Sequence, residues 1–186
     1  MPARSQANQG LPLKTMALPA DLEPDNPLWQ FALAFWHHSL AQETCLALQN
    51  EGWSVTRILC AGWLALNGRA YTGIEEATVT EWRDRVTGSL RAIRMSVPKA
   101  QAAYSALRTN LASLELEAER IELAIAWRSF KDPKLEQRNM YVCDELIQSN
   151  LAAAAPAAGI KQGTKQRLNT LVDIFSAFAS GEVQPC

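Results

Sequence analysis

Histidine occurs only twice in this sequence, at the adjacent positions His37 and His38. Neighbouring residues on a helix point about 100° apart, so the pair does not converge on one metal ion. A di-iron bundle needs Glu-x-x-His on two helices, and Glu119-x-x-Glu122 lacks the histidine. We therefore expect no metal and no cofactor. The four cysteines (Cys45, Cys60, Cys143 and Cys186) form no C-x-x-C pair and no zinc-finger spacing, and reduced thiols in a cytosol are the simplest reading. A cysteine nucleophile wants a histidine base, which only His37 or His38 near Cys45 offers. Cysteines on apolar faces, like Cys45 and Cys60, more often serve as small core residues. The nine glycines make neither a phosphate-binding loop nor a dinucleotide fingerprint, and no serine elbow or H-E-x-x-H motif occurs. Nothing here names an enzyme.

Charge of one sign is also scarce. The formal net charge is −1, so no overall field draws nucleic acid or an anionic membrane. The most apolar uncharged run, Ile58 to Leu66, is about half what a membrane-spanning helix of ~20 residues needs, and Met1 to Ala20 holds no signal-peptide core. Strand-like alternation and internal repeats are missing too. What is abundant is apolar side chain, 48 % of residues, in helical spacing, which predicts a cytoplasmic, all-α, single-domain bundle of six to seven helices around a long central helix.

Residues 1–24, rich in Pro, Gln and Ala, read as a disordered tail, and Met16–Ala17 offers a second candidate start. The helical domain spans 25–181, followed by a short tail over 182–186. Asn26–Pro27 has the pattern of a cap and first helical residue and opens an aromatic-rich helix through Trp36. Ser39-x-x-Gln42 predicts the start of a second helix, Ser54 that of a third, and Thr78-x-x-Glu81 that of a fourth. In the fourth, Val79, Trp82, Val86, Leu90, Ile93 and Val97 form one apolar stripe, with Arg83, Arg91 and Arg94 on its flank. Gln101 to Phe130 is the longest periodic segment. It carries one stripe through Leu111, Ala118 and Ile125 and a second through Leu116, Leu123 and Trp127, so it should pack on two sides. Helices are further expected over about 134–155 and 164–180, the last ended by Gly181.

Five ordered pieces, PLWQFALAFW (27–36), CLALQ (45–49), ILCAGWL (58–64), WRDRVTGSLRAIR (82–94) and LELEAERIE (114–122), resemble a proteobacterial family of small all-helical proteins of unknown function. The resemblance covers roughly residues 27–125. The chain departs from the family pattern at His37–His38–Ser39, where a Pro-Gly loop is usual, and at Thr56–Arg57, where Asn and then Leu are more frequent. The resemblance implies a helical fold and a bacterial cytoplasmic setting, and supplies no catalytic residues.

Three functions compete. The first is a non-enzymatic protein-interaction or regulatory module, self-associating or holding a protein partner. Four tryptophans, Trp29, Trp36, Trp53 and Trp63, lie within 26–68, and any that the core leaves uncovered would form an aromatic docking surface. The second is a nucleic-acid or phosphorylated-ligand binder using Arg83, Arg91 and Arg94 as a partner- or anion-binding face. Against it stands the pairing of these arginines with Glu115, Glu117 or Glu119, which the sequence favours. Residues 40–66 read as a helix-turn-helix would offer only Thr56, Arg57 and Asn67 to DNA, which is too few. The third is a small-ligand protein or enzyme with an apolar pocket among the first three helices.

Overall fold

The computed structural model describes residues 15–131 and 142–181. At the start of α1 (Pro27–Trp36) the Asn26 side chain accepts the Trp29 N–H at 2.9 Å, and Pro27 takes the first position, where its missing N–H costs nothing. The start of α2 (Ser39–Asn50) is displaced by one residue from the expected box. His38 is the cap, its Nδ1 accepting the Ala41 N–H at 3.4 Å, because Ser39 itself is already helical. Ser54 caps α3 (Val55–Leu66) by accepting the Arg57 N–H at 3.3 Å.

A single rod follows, made of α4 (Ala77–Trp82), a π turn (Arg83–Thr87) and α5 (Gly88–Ser96). Its expected box at Thr78 is not used: α4 begins at Ala77, after Glu76, without a side-chain cap. The wider π turn also rotates the register of the stripe read from the sequence. Thr87 is buried where Val86 was expected, and Ile93 is exposed. The end of α5 is closed by Arg108, whose guanidinium donates to the carbonyls of Arg94, at 2.7 Å, and of Val97.

A 3-10 turn (Ala102–Tyr104) leads into α6 (Ser105–Phe130). Only the second half of α6 is covered on both sides: Glu122 to Ala126 are all buried, whereas Leu107, Leu114 and Leu116 in the first half are exposed. The last elements are α7 (Asp144–Ala153) and α8 (Thr164–Ser180), which ends at left-handed Gly181. The helix expected from about residue 134 lies, up to 141, outside the described residues, and Val142 and Cys143 are not helical.

The protein is thus an all-α, single-domain bundle with no strand among the described residues. Nine of the twelve residues of α3 are buried, and that helix touches α1, α2, α6, α7 and α8. α6 covers one side of it, with α1 and the α4–α5 rod packed along α6. Phe35 of α1 stacks on Phe175 of α8 with ring centroids 4.8 Å apart, closing the other side. Residues 21–24, which composition alone assigns to a tail, run beside α6: Asp21 pairs with Arg128 and Glu23 with Lys131, and Asp25, where the helical domain is expected to begin, pairs with Arg120. No described helix is long and apolar enough to cross a membrane.

Candidate functional site

The α4–α5 rod runs against α6 in the opposite sense, so residues rising along one meet residues falling along the other. Glu115, Glu119 and Glu122 recur at spacings of four and three, which places them on one stripe of α6. Arg94 donates from Nε and Nη2 to Glu115, the latter at 3.2 Å. One turn back, Arg91 donates to Glu115 at 2.7 Å and to Glu119 at 2.6 Å. At the π turn, Arg83 Nε donates to Glu122 Oε1 at 2.7 Å and the Thr87 hydroxyl donates to Oε2 at 2.9 Å, while the Thr56 hydroxyl of α3 also donates to Oε1.

The ladder continues inward. Both terminal nitrogens of Arg83 reach Glu75, each at 2.7 Å, and Glu75 also holds Arg57. Arg57 spends its other donors on the carbonyls of Gly73, Ala153 and Ala154, so it satisfies the end of α7. Two alternating runs therefore adjoin, Arg94–Glu115–Arg91–Glu119 at the surface of α5 and Glu122–Arg83–Glu75–Arg57 towards the middle of the bundle, with Glu119 and Glu122 neighbours on α6.

Burial acts unevenly along that line. In Glu75 it pushes the carboxyl up, but the hydrogen bonds and charge of Arg83, then of Arg57, outweigh it and hold the group below its ordinary range. Burial raises Glu115 as well, and Arg94 and Arg91 more than reverse it. Glu119 differs: burial wins over Arg91, the nearby Glu115 and Glu122 add to it, and its pKa stands at about 7.

That value carries a sign. A carboxyl whose folded pKa lies above its unfolded one adds stability that is fully present below the unfolded value and is lost as pH rises through the folded one. The shift from 4.5 to about 7 corresponds to roughly 3 kcal/mol at most. The urea midpoint should therefore fall between about pH 4.5 and pH 7 and level off above, and Glu119→Gln should flatten that fall. An unchanged slope in the variant would assign the pH dependence to another group.

Arg94, Glu115 and Glu119 also edge a pocket of about 330 Å³ between α1, α2, α3 and α6. Trp29, Trp36, Leu59 and Leu123 supply its apolar wall. Its rim is apolar as well, with Leu33, Leu46 and Leu116 exposed by 38 %, 43 % and 49 %. The residues singled out from sequence separate accordingly. Arg94, Trp29 and Trp36 meet at this pocket. Arg91 sits behind it, and Arg83 lies deeper in the ladder. Trp53 is in the core, and Trp63 is half-buried against Trp127 and Phe130, so none of the four tryptophans is fully exposed. Glu117, one of the expected partners of the arginine face, pairs with Arg120 at 3.4 Å instead.

Sequence reasoning missed Arg57, Glu75, Glu122, Thr56 and Thr87 as members of one array. The only signal was the lone arginine in an otherwise apolar third helix. Cys45 and Cys60 are both buried, which pushes both thiols up, Cys45 to about 12; a thiol held protonated in this way is a poor nucleophile. Among the described residues no group of three or more His, Cys, Asp or Glu side chains is placed to hold a metal ion.

No curated protein and no solved structure matches the chain. Residues 27–125 match the family described as Protein of unknown function (DUF2390). That segment contains α1 to α5 and the part of α6 that carries the ladder and the pocket edge, and the chain belongs to that family.

Proposed function

We propose that the protein is a cytoplasmic, non-enzymatic interaction module whose working surface is the groove edged by Arg94, Glu115 and Glu119. The observation that carries this reading is an apolar pocket whose rim leucines remain in solvent, beside two half-paired charged groups. Aromatic and arginine side chains at a desolvated centre, with apolar surroundings, are what protein interfaces favour. The arginine face alone supports an anion site less well: Arg83 is taken up by Glu75 and Glu122, and Arg91 by Glu115 and Glu119. A phosphate there would have to displace a carboxylate. A small apolar ligand is the second reading, supported by the pocket's volume, which falls within the usual range of about 300–1,000 Å³.

Leu46→Asp with Leu116→Asp tests the groove. Both side chains are exposed, so the fold should survive with less than about 1 kcal/mol lost. Affinity purification with the wild-type chain should recover a protein partner, or light scattering should show self-association, and the double variant should lose it. Equal recovery by both chains would remove the groove, and a monomeric mass with no partner would remove the interaction module.

A further inference from the structure

We infer that the groove captures the carboxy-terminal end of a partner chain, its last apolar side chain entering beside Trp29, Trp36 and Leu123 and its α-carboxylate meeting Arg94 and Glu119. The inference rests on the docking reading above and adds what is docked.

The polar edge has little to offer, and what remains is specific. Glu115 already accepts three donors from Arg91 and Arg94, two on Oε1 and one on Oε2, and its charge is shared between those two guanidinium groups. Arg94 commits Nε and Nη2 to Glu115, and its Nη1 has no acceptor among the described residues. Glu119 gives one oxygen to Arg91 and has no donor on the other among the described residues. Protonated, as it is in half the molecules near pH 7, Glu119 offers an O–H. The edge then holds two arginines against one carboxylate and two free donors. One added carboxylate balances that charge and accepts both donors.

The charged groups that act on Glu119 are Arg91 and Arg94 on α5 and Glu115 and Glu122 on α6, the last of these held by Arg83 of the π turn. The walls from α1, α2 and α3 bring no charge to the pocket. An internal segment could offer only an Asp or Glu side chain, whose carboxylate stands apart from any apolar side chain. At a chain end the carboxylate and the last apolar side chain leave the same Cα, so they can meet the polar edge and the apolar wall together. A phosphate brings more charge than the edge can balance. A free fatty acid has the right head, but it would leave Leu33, Leu46 and Leu116 largely uncovered. A chain end followed back along its last residues would cover that rim.

The test uses the full-length protein and fluorescent hexapeptides ending in Leu, Phe or Trp, each made with a free carboxylate and as the amide. The best free acid should bind at least about tenfold more tightly than its amide at pH 6. Its affinity should weaken about tenfold by pH 8, one unit above the Glu119 value. Arg94→Gln should weaken the acid at least about tenfold more than the amide and so erase the preference for the acid, a split that mere structural damage does not produce. If circular dichroism shows that variant unfolded, Glu119→Gln serves in its place and should keep the acid preference at pH 8. Equal binding of acid and amide overturns the inference and leaves the groove intact. Decanoate binding as tightly as the best peptide also overturns it, in favour of a small amphiphile. If no peptide of either kind binds, or Leu116→Asp leaves peptide binding untouched, the docking reading falls with it.

Discussion

Glu122→Ala should lower the unfolding free energy by about 3–5 kcal/mol. Glu122 is 1 % exposed, deep between α3, the π turn and α6, and takes hydrogen bonds from Thr56, Arg83 and Thr87. Its removal leaves Arg83 and Arg57 facing Glu75 alone, one buried positive charge in excess, and leaves the Thr87 hydroxyl without its acceptor. A domain of this kind has only about 5–15 kcal/mol in total, so the loss would show as a fall of roughly 10 °C in Tm. The control is Glu122→Leu with Arg83→Leu. Replacing both charges by apolar groups removes the uncompensated partner, so the double variant should be less destabilised than Glu122→Ala, by about 1.5 kcal/mol or more. Urea unfolding followed by circular dichroism measures all of these. A cost below about 1 kcal/mol for Glu122→Ala would mean that the ladder does not hold the rod to α6.

The same residue shows where reading from sequence stops. The caps at Asn26 and Ser54 were legible because a cap is local chemistry, a side-chain oxygen three residues from the N–H it accepts. The all-α class was legible from apolar spacing for the same reason. Glu115, Glu119 and Glu122 also lie on one stripe, but a charged stripe reads as a face turned to water. What buries it is a set of arginines 21 to 39 positions away, in an element whose register is reset by a π turn. No local pattern announces that turn. The pairing of Arg91 and Arg94 with Glu115 and Glu119 could be anticipated from composition, but the depth of the array, running through Glu75 to Arg57 at the end of α7, could not. The pocket shares this limit. Trp29, Trp36 and Arg94 come from segments nearly 60 residues apart, and only the packing of α1 across α6 brings them to one edge.

Phe175→Ala should cost about 3–5 kcal/mol, on the same scale as Glu122→Ala, and its partner change at Gly62 should reveal why. Phe175 is fully buried, stacked on Phe35 and within 6.2 Å of Phe31. A Cβ at Gly62 of α3 would stand 2.2 Å from the Phe175 ring, so α3 and α8 approach as closely as they do because this position has no side chain. Gly62 has an ordinary backbone conformation and sits mid-helix, where alanine is normally better by roughly 1 kcal/mol. Gly62→Ala should nevertheless destabilise by about 1–3 kcal/mol, since the ring cannot swing aside without breaking its stack on Phe35. With Phe175→Leu already in place the clash is relieved, and the same Gly62→Ala change should become neutral or stabilising. A double-mutant cycle measured by urea unfolding should therefore give a coupling above about 1 kcal/mol. Additive effects would show that α3 and α8 have room to part, and that the glycine is not what sets their spacing.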